Sequence, residues 1–132
     1  MLNSFGKKHG DKLYAVARFI VGALFFQHGA QKIFGLLGGS KVGLASFIGV
    51  AGIIELVAGI AIAAGIFTRL AAGIAASEML VAFFKAHFKF SGGLAGWVPI
   101  MNGGELALLF LAAFLVILAY GAGKCSLEKT FK

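Results

Sequence analysis

Four long apolar runs, separated by short Gly-rich connections, limit what this sequence can fold into. A helix needs about 20 consecutive apolar residues to cross a hydrocarbon core about 30 Å thick. Runs of that length occupy residues 13–34, 45–66, 69–90 and 103–121. Only helices and closed barrels satisfy every backbone polar group inside lipid. The alternation of apolar and polar residues that marks a barrel strand is missing, and the runs are too long for one. The sequence therefore predicts an all-α bundle of four transmembrane helices in a single domain spanning residues 1–132.

Composition supports this reading. Hydrophobic residues make up 60% of the chain and charged residues 13%, against about 25% charged in ordinary globular chains. A soluble fold of this size could not hide that much apolar surface. The 20 glycines are costly in a water-soluble helix, but between membrane helices they let backbones approach closely. Ala61 with Gly65, Ala72 with Ala76, and Gly73 with Ser77 are small residues four apart. They predict close packing of the second and third helices.

Lys7, Lys8 and Lys12 precede the first run, as in a secretory leader. That run is too long for a leader, contains Arg18, and ends in His28 and Lys32 without a small-residue cleavage site. The reading is an uncleaved first helix. Basic residues also set the orientation. Lys7, Lys8, Lys12, Arg18, Arg69, Lys124, Lys129 and Lys132 fall on one side, and Lys32, Lys41, Lys85 and Lys89 on the other. The richer side belongs inside, so both ends face the cytoplasm of a multi-pass protein of the plasma (inner) membrane, where they meet anionic lipid. The net charge of +7 is accounted for in this way. A nucleic-acid partner would need a contiguous basic face with interleaved aromatics, which the sequence lacks. Cys125 is the single cysteine, so neither an intrachain disulfide nor a Cys-x-x-Cys site exists.

Polar groups within the spans narrow the search for a site. Glu55, Glu78 and Glu105 fall in apolar runs, where a charged carboxylate costs about 3 kcal/mol on insertion scales. Such groups turn inward, pair with a base, or take up a proton. At 1.5 Å per residue, His28 and Lys32 lie roughly 24 and 30 Å above the inner edge, and His87 roughly 27 Å. Glu105 lies within about 5 Å of the outer edge. These four, with Asn102 beside them, share one outer level, and Glu55 sits near the midplane. Arg18 and Glu78 share an inner level, which predicts an ion pair between them. Taken singly, each outer group has a structural reading: lysines reach headgroups, and Glu105 suits a helix N-terminus. Together they converge from three helices. Imidazole and carboxylate suit zinc or iron, yet no His-x-x-x-His or Glu-x-x-His spacing lies within one helix, and no metal site is assigned.

The motifs resemble those of the DoxX family of small four-helix membrane proteins, from about Arg18 to Glu128. The first helix, RFIVGALFFQHGAQKIFG, is similar to the family's Arg…Gly…His-Gly-x-x-Lys pattern. The second, GIIELVAGIAIAAGIFTR, resembles its Glu-centred helix closing on Thr-Arg. His87 stands where the family ends its third helix in a His, NGGELALL opens the fourth helix, and GAGKCSLEK resembles the closing G-P-G-x-x-S-L-D. Ala122 replaces the proline of that last motif and Glu128 its aspartate. Glu78 has no counterpart in the pattern, so no role carries over to it. The resemblance implies a subunit linked to quinol or thiosulfate:quinone oxidoreductases and points to Arg18, His28, Lys32, Glu55, Arg69, His87 and Glu105.

Three functions follow as expectations. In the first, a redox-linked subunit binds a membrane quinone at the outer cluster. His28, His87, Glu55 and Glu105 handle protons, and Arg18, Lys32 and Asn102 hold the ligand. In the second, the chain is a non-catalytic anchor or assembly partner of redox-enzyme subunits. In the third, it is a small-solute or proton-coupled carrier, for which a homo-oligomer would supply the room that four helices lack. The cofactor stays open, with quinone the one the resemblance suggests.

Overall fold

The computed structural model describes residues 2–131 and, among them, contains helices and no strand. The long elements are α1 (Leu2–Phe34), α2 (Phe47–Ala64) and α3 (Thr68–His87). The short α4 (Gly93–Trp97) and α5 (Pro99–Asn102) lead into α6 (Glu105–Tyr120), and α7 (Leu127–Thr130) follows. By length and composition, α1, α2 and α3 can each cross a membrane. The fourth apolar helix is shorter than the predicted 103–121: its 16 residues span about 24 Å. Gly103 and Gly121, both at positive φ, bracket it.

The other boundaries move for local reasons. Helix α1 begins about a span's third before residue 13, because nothing in residues 2–12 breaks it. Its 33 residues reach about 50 Å, so the lysine-rich start projects beyond a 30 Å hydrocarbon core. Ser46 caps α2, its Oγ accepting from the Gly49 N–H at 3.0 Å, and Gly65 ends it in the left-handed conformation at φ 73°. Helix α3 stops at His87, short of residue 90, because Phe88 turns extended.

The closest helix contact joins α1 to α2. The two helices run antiparallel, with Gly22 facing Gly59 and Gly29 facing Gly52. A Cβ on Gly22 would lie 2.5 Å from Ala63 N, and one on Gly29 would lie 2.5 Å from Leu56 N. Backbone therefore meets backbone, as small residues permit in lipid. The small-residue expectation for α2 and α3 is corrected here. Gly65 is a cap beside Arg18, Gly73 faces Leu118 of α6, and α3 packs chiefly on α6. Alanines 72, 75 and 76 of α3 join Phe25, Phe110, Phe114 and Ile117 in the core. The ring of Phe25 meets that of Phe114 edge-on at 4.7 Å.

Residues 11–14 of α1 and the C-terminal segment meet at one end of the bundle. The Tyr14 hydroxyl donates to Gly121 O at 2.6 Å, and the Glu128 N–H donates to Gly65 O at 3.0 Å. Lys124 pairs with Asp11 at 2.9 Å, and that hydrogen bond and charge raise the Lys124 pKa. Lys132, counted toward the inner side above, lies outside the described residues. Large apolar side chains ring the exterior; Val57, Leu109 and Leu70 are each more than 60% exposed. A water-soluble monomer rarely shows an apolar surface of this extent. With three helices of spanning length, it makes the chain a multi-pass membrane protein in contact with lipid.

Candidate functional site

The site is built around one ion pair. Lys32 lies at the end of α1, where its Cβ abuts Gly52 of α2. A larger residue at position 52 would hold the lysine away. Instead its stem turns along α2 by one helical turn, and Nζ reaches Glu55 Oε1 at 2.5 Å. The Glu55 side chain is 4% exposed and that of Lys32 29%. The alternative reading, in which Lys32 only reaches a headgroup, does not hold: its ammonium is drawn inward to a carboxylate that has no other cation in contact among the described residues. The second Glu55 oxygen, Oε2, is buried without a hydrogen-bond partner among the described residues.

A cavity of about 200 Å³ opens beside this pair, bordered by His28, Lys32, Glu55 and His87. Four of the seven predicted site residues therefore meet. Phe25 and Phe110 form apolar walls, and His28 packs edge-on against the Phe110 ring at 5.8 Å. His87 owes its place to the last turn of α3. Over Phe83–His87 the helix widens to a π-turn, closed by the Phe88 N–H bonding to Phe83 O at 2.9 Å. Such turns interrupt α-helices mostly at functional sites. Leu106 also borders the cavity and is 52% exposed, so this wall faces the lipid side.

The structure keeps the other three predicted residues out of the cavity lining. Asn102 supports the site from behind. Its backbone oxygen lies 3.3 Å from His87 Nδ1, while its side chain donates to Gly96 O at 3.0 Å and accepts from the Gly104 N–H at 2.8 Å. Glu105 is exposed in the first turn of α6, where its charge suits the helix N-terminus. Arg18 lies at the opposite end, 3% exposed. It donates to Ile62 O, to Ala63 O at 2.9 Å and to Cys125 O at 2.8 Å. It thus ties the carbonyl end of α2, where a helix carries free acceptors and partial negative charge, to the C-terminal segment.

The expected Arg18–Glu78 ion pair does not form. Arg18 donates to three carbonyls, and Glu78 Oε2 is buried without a hydrogen-bond partner among the described residues. Glu78 lies instead within electrostatic range of the Glu55 carboxylate, which opposes its charge, and of Lys32, which favours it. The signal was available in the sequence. Glu55 and Glu78 lie about equally far from the turn joining α2 to α3, so a hairpin places both about 15 Å above it. A double-mutant cycle of Arg18→Gln and Glu78→Gln, read by unfolding in detergent, is expected to be additive within about 0.5 kcal/mol, as for sites without contact. Coupling well above that would restore the ion pair. Among the described residues, no three His, Cys, Asp or Glu side chains converge closely enough to hold a metal ion.

The chain matches the DoxX family model over residues 13–88, which holds α1 from Leu13 onward, α2, α3 and all four cavity-lining polar residues. An uncharacterized protein of Haemophilus influenzae is 38% identical over 129 residues, covering 95% of each chain. No solved structure matches. With the glycine-packed first pair of helices and the Lys32–Glu55 bridge inside the matched region, this integral membrane protein belongs to the DoxX family.

Proposed function

We propose that the chain is a redox-linked membrane subunit that takes the ring of a quinone or quinol into the cavity between His28 and His87, oriented with both ends at the cytoplasmic side of the plasma membrane. The observation that carries this reading is the unpartnered Glu55 Oε2 beside a bridged lysine, at an apolar cavity with two imidazoles. The donor set fits such a ring. Lys32 offers N–H donors, Glu55 a free acceptor, and the histidines can do either according to tautomer. Phe25 and Phe110 supply apolar walls, and the volume is on the scale of a quinone head group. A bound quinone would take up two electrons, supplied by a partner redox-enzyme subunit, and two protons to become the quinol, and a quinol would return them.

The residues divide that work by chemistry. An imidazole has one ring nitrogen to accept and one to donate, so His28 and His87 would pass protons to and from the ligand oxygens. Asn102 is a positioning residue, its backbone carbonyl fixing the His87 ring by accepting a hydrogen bond from Nδ1–H. Lys32 holds negative charge on the ligand, and Glu55 both orients the ammonium and accepts a proton. Apolar walls exclude water and strengthen each of these interactions.

Trp97, the single tryptophan, stacks on Phe88 next to His87 and reports on this end of the bundle. A short-tail ubiquinone analogue is expected to quench it saturably in nanodiscs. His28→Ala and His87→Ala are each expected to weaken that binding about fivefold, the worth of one hydrogen bond. Absence of saturation, or equal binding by all three proteins, would remove the proposal.

A further inference from the structure

At the opposite end of the bundle a second cleft, of about 780 Å³, opens between α1, α3, α6 and the C-terminal segment. We propose that it seats one acidic phospholipid, with the lipid phosphate on Arg69. This site is independent of the quinone cavity.

The cleft has two tiers. The apolar tier holds Leu70 and Val116, 65% and 50% exposed and set further into their helices than Arg69 and Tyr120. The polar tier holds Arg69, Lys124 and Lys129. The cations are not equivalent. Lys124 is bonded to Asp11 at 2.9 Å. Arg69 has no hydrogen bond or ion pair within the described residues, although Glu128 lines the same cleft. The exposed Arg69 side chain nevertheless lies against the end of α6. Its Nε lies 2.8 Å from where a Cβ on Gly121 would stand, so the side chain crosses the end of α6 in the space that glycine leaves. Tyr120, 73% exposed, flanks it at the level where amphipathic rings meet headgroups.

Charge complementarity selects the ligand. A guanidinium presents a planar fork that matches phosphate geometry. Free inorganic phosphate would satisfy Arg69 but leave the apolar tier against water or unrelated lipid. A phospholipid satisfies both tiers at once, and an anionic one adds the attraction of a basic surface, about 1 kcal/mol per cation. That corresponds to about fivefold in occupancy for Arg69 alone.

The test uses the full chain released from nanodiscs holding phosphatidylglycerol and phosphatidylcholine in equal amounts, with retained lipid counted by native mass spectrometry. One phosphatidylglycerol per chain is expected in preference to phosphatidylcholine. Arg69→Gln is expected to reduce that preference about fivefold, and Lys7→Gln with Lys8→Gln, on the projecting start of α1, to leave it intact. Millimolar inorganic phosphate is expected not to displace the lipid. Equal retention of both lipids overturns the site, as does an unchanged preference in Arg69→Gln. Displacement by phosphate shows an anion site without lipid specificity and overturns the lipid assignment. Because Arg69 lies on the surface, the variant should fold; if it does not, loss of the preference in Lys129→Gln supports the site and its retention there counts against it.

Discussion

Lys32→Met alone is expected to lower stability by about 3–5 kcal/mol, the usual consequence of leaving one member of a buried ion pair behind. Glu55 is 3% exposed and its Oε2 has no partner among the described residues, so removing the ammonium leaves a carboxyl in hydrocarbon with neither oxygen bonded. The double variant Lys32→Met with Glu55→Leu should recover most of the loss, because an apolar pair of similar volume often matches or exceeds a buried salt bridge. Both effects are readable as midpoints of unfolding in detergent. If the single variant is as stable as the parent, the 2.5 Å bridge is not a feature of the folded protein. If the double variant folds well but no longer binds quinone, the bridge serves the site rather than the fold. Those two results test different statements and can be obtained from the same preparation.

Gly29→Ala is expected to cost about 3 kcal/mol, the upper end of the usual range for overpacking. The added methyl group would lie 2.5 Å from Leu56 N and 2.7 Å from Gly52 O. Both are backbone atoms, so no rotamer change relieves the clash and the two helices must separate. Separation also draws Lys32, one turn further along α1, away from Gly52 and Glu55. The same variant should therefore weaken quinone binding without touching the cavity. Gly6→Ala is the control. Nothing lies within 4 Å of the added methyl, and alanine favours a helix by up to about 1 kcal/mol. Equal midpoints for Gly29→Ala and Gly6→Ala would show that α1 and α2 are not in backbone contact.

Much of this architecture was legible along the chain. Chain length and mean composition ruled out a soluble core, and the apolar runs located α1, α2, α3 and α6. Depth counting placed His28, Lys32 and His87 at one outer level, and the structure joins them with Glu55 at one cavity. Counting by depth alone failed where rotation about the helix axis decides the neighbour. Glu105 has the right level and faces outward. Glu78 and Arg18 share a level along the sequence, yet Arg18 reaches the last carbonyls of α2 and the backbone at Cys125. The helix ends were also displaced, since Ser46, Gly65, Gly103 and Phe88 terminate helices by local backbone geometry that apolar content does not register.

By itself, then, the sequence determined that the chain is helical, enters the membrane several times, and holds ionisable groups that cannot face lipid. These follow from hydrocarbon thickness and the cost of bare polar groups, which act on each segment separately. Tertiary structure alone decided which of those groups meet. Lys32 and Glu55 are 23 positions apart, and they touch because glycines on α1 and α2 let the two backbones come close enough for a side chain to bridge them. Contact of that kind depends on the rotation and spacing of helices relative to one another, and neither is a property of any one segment.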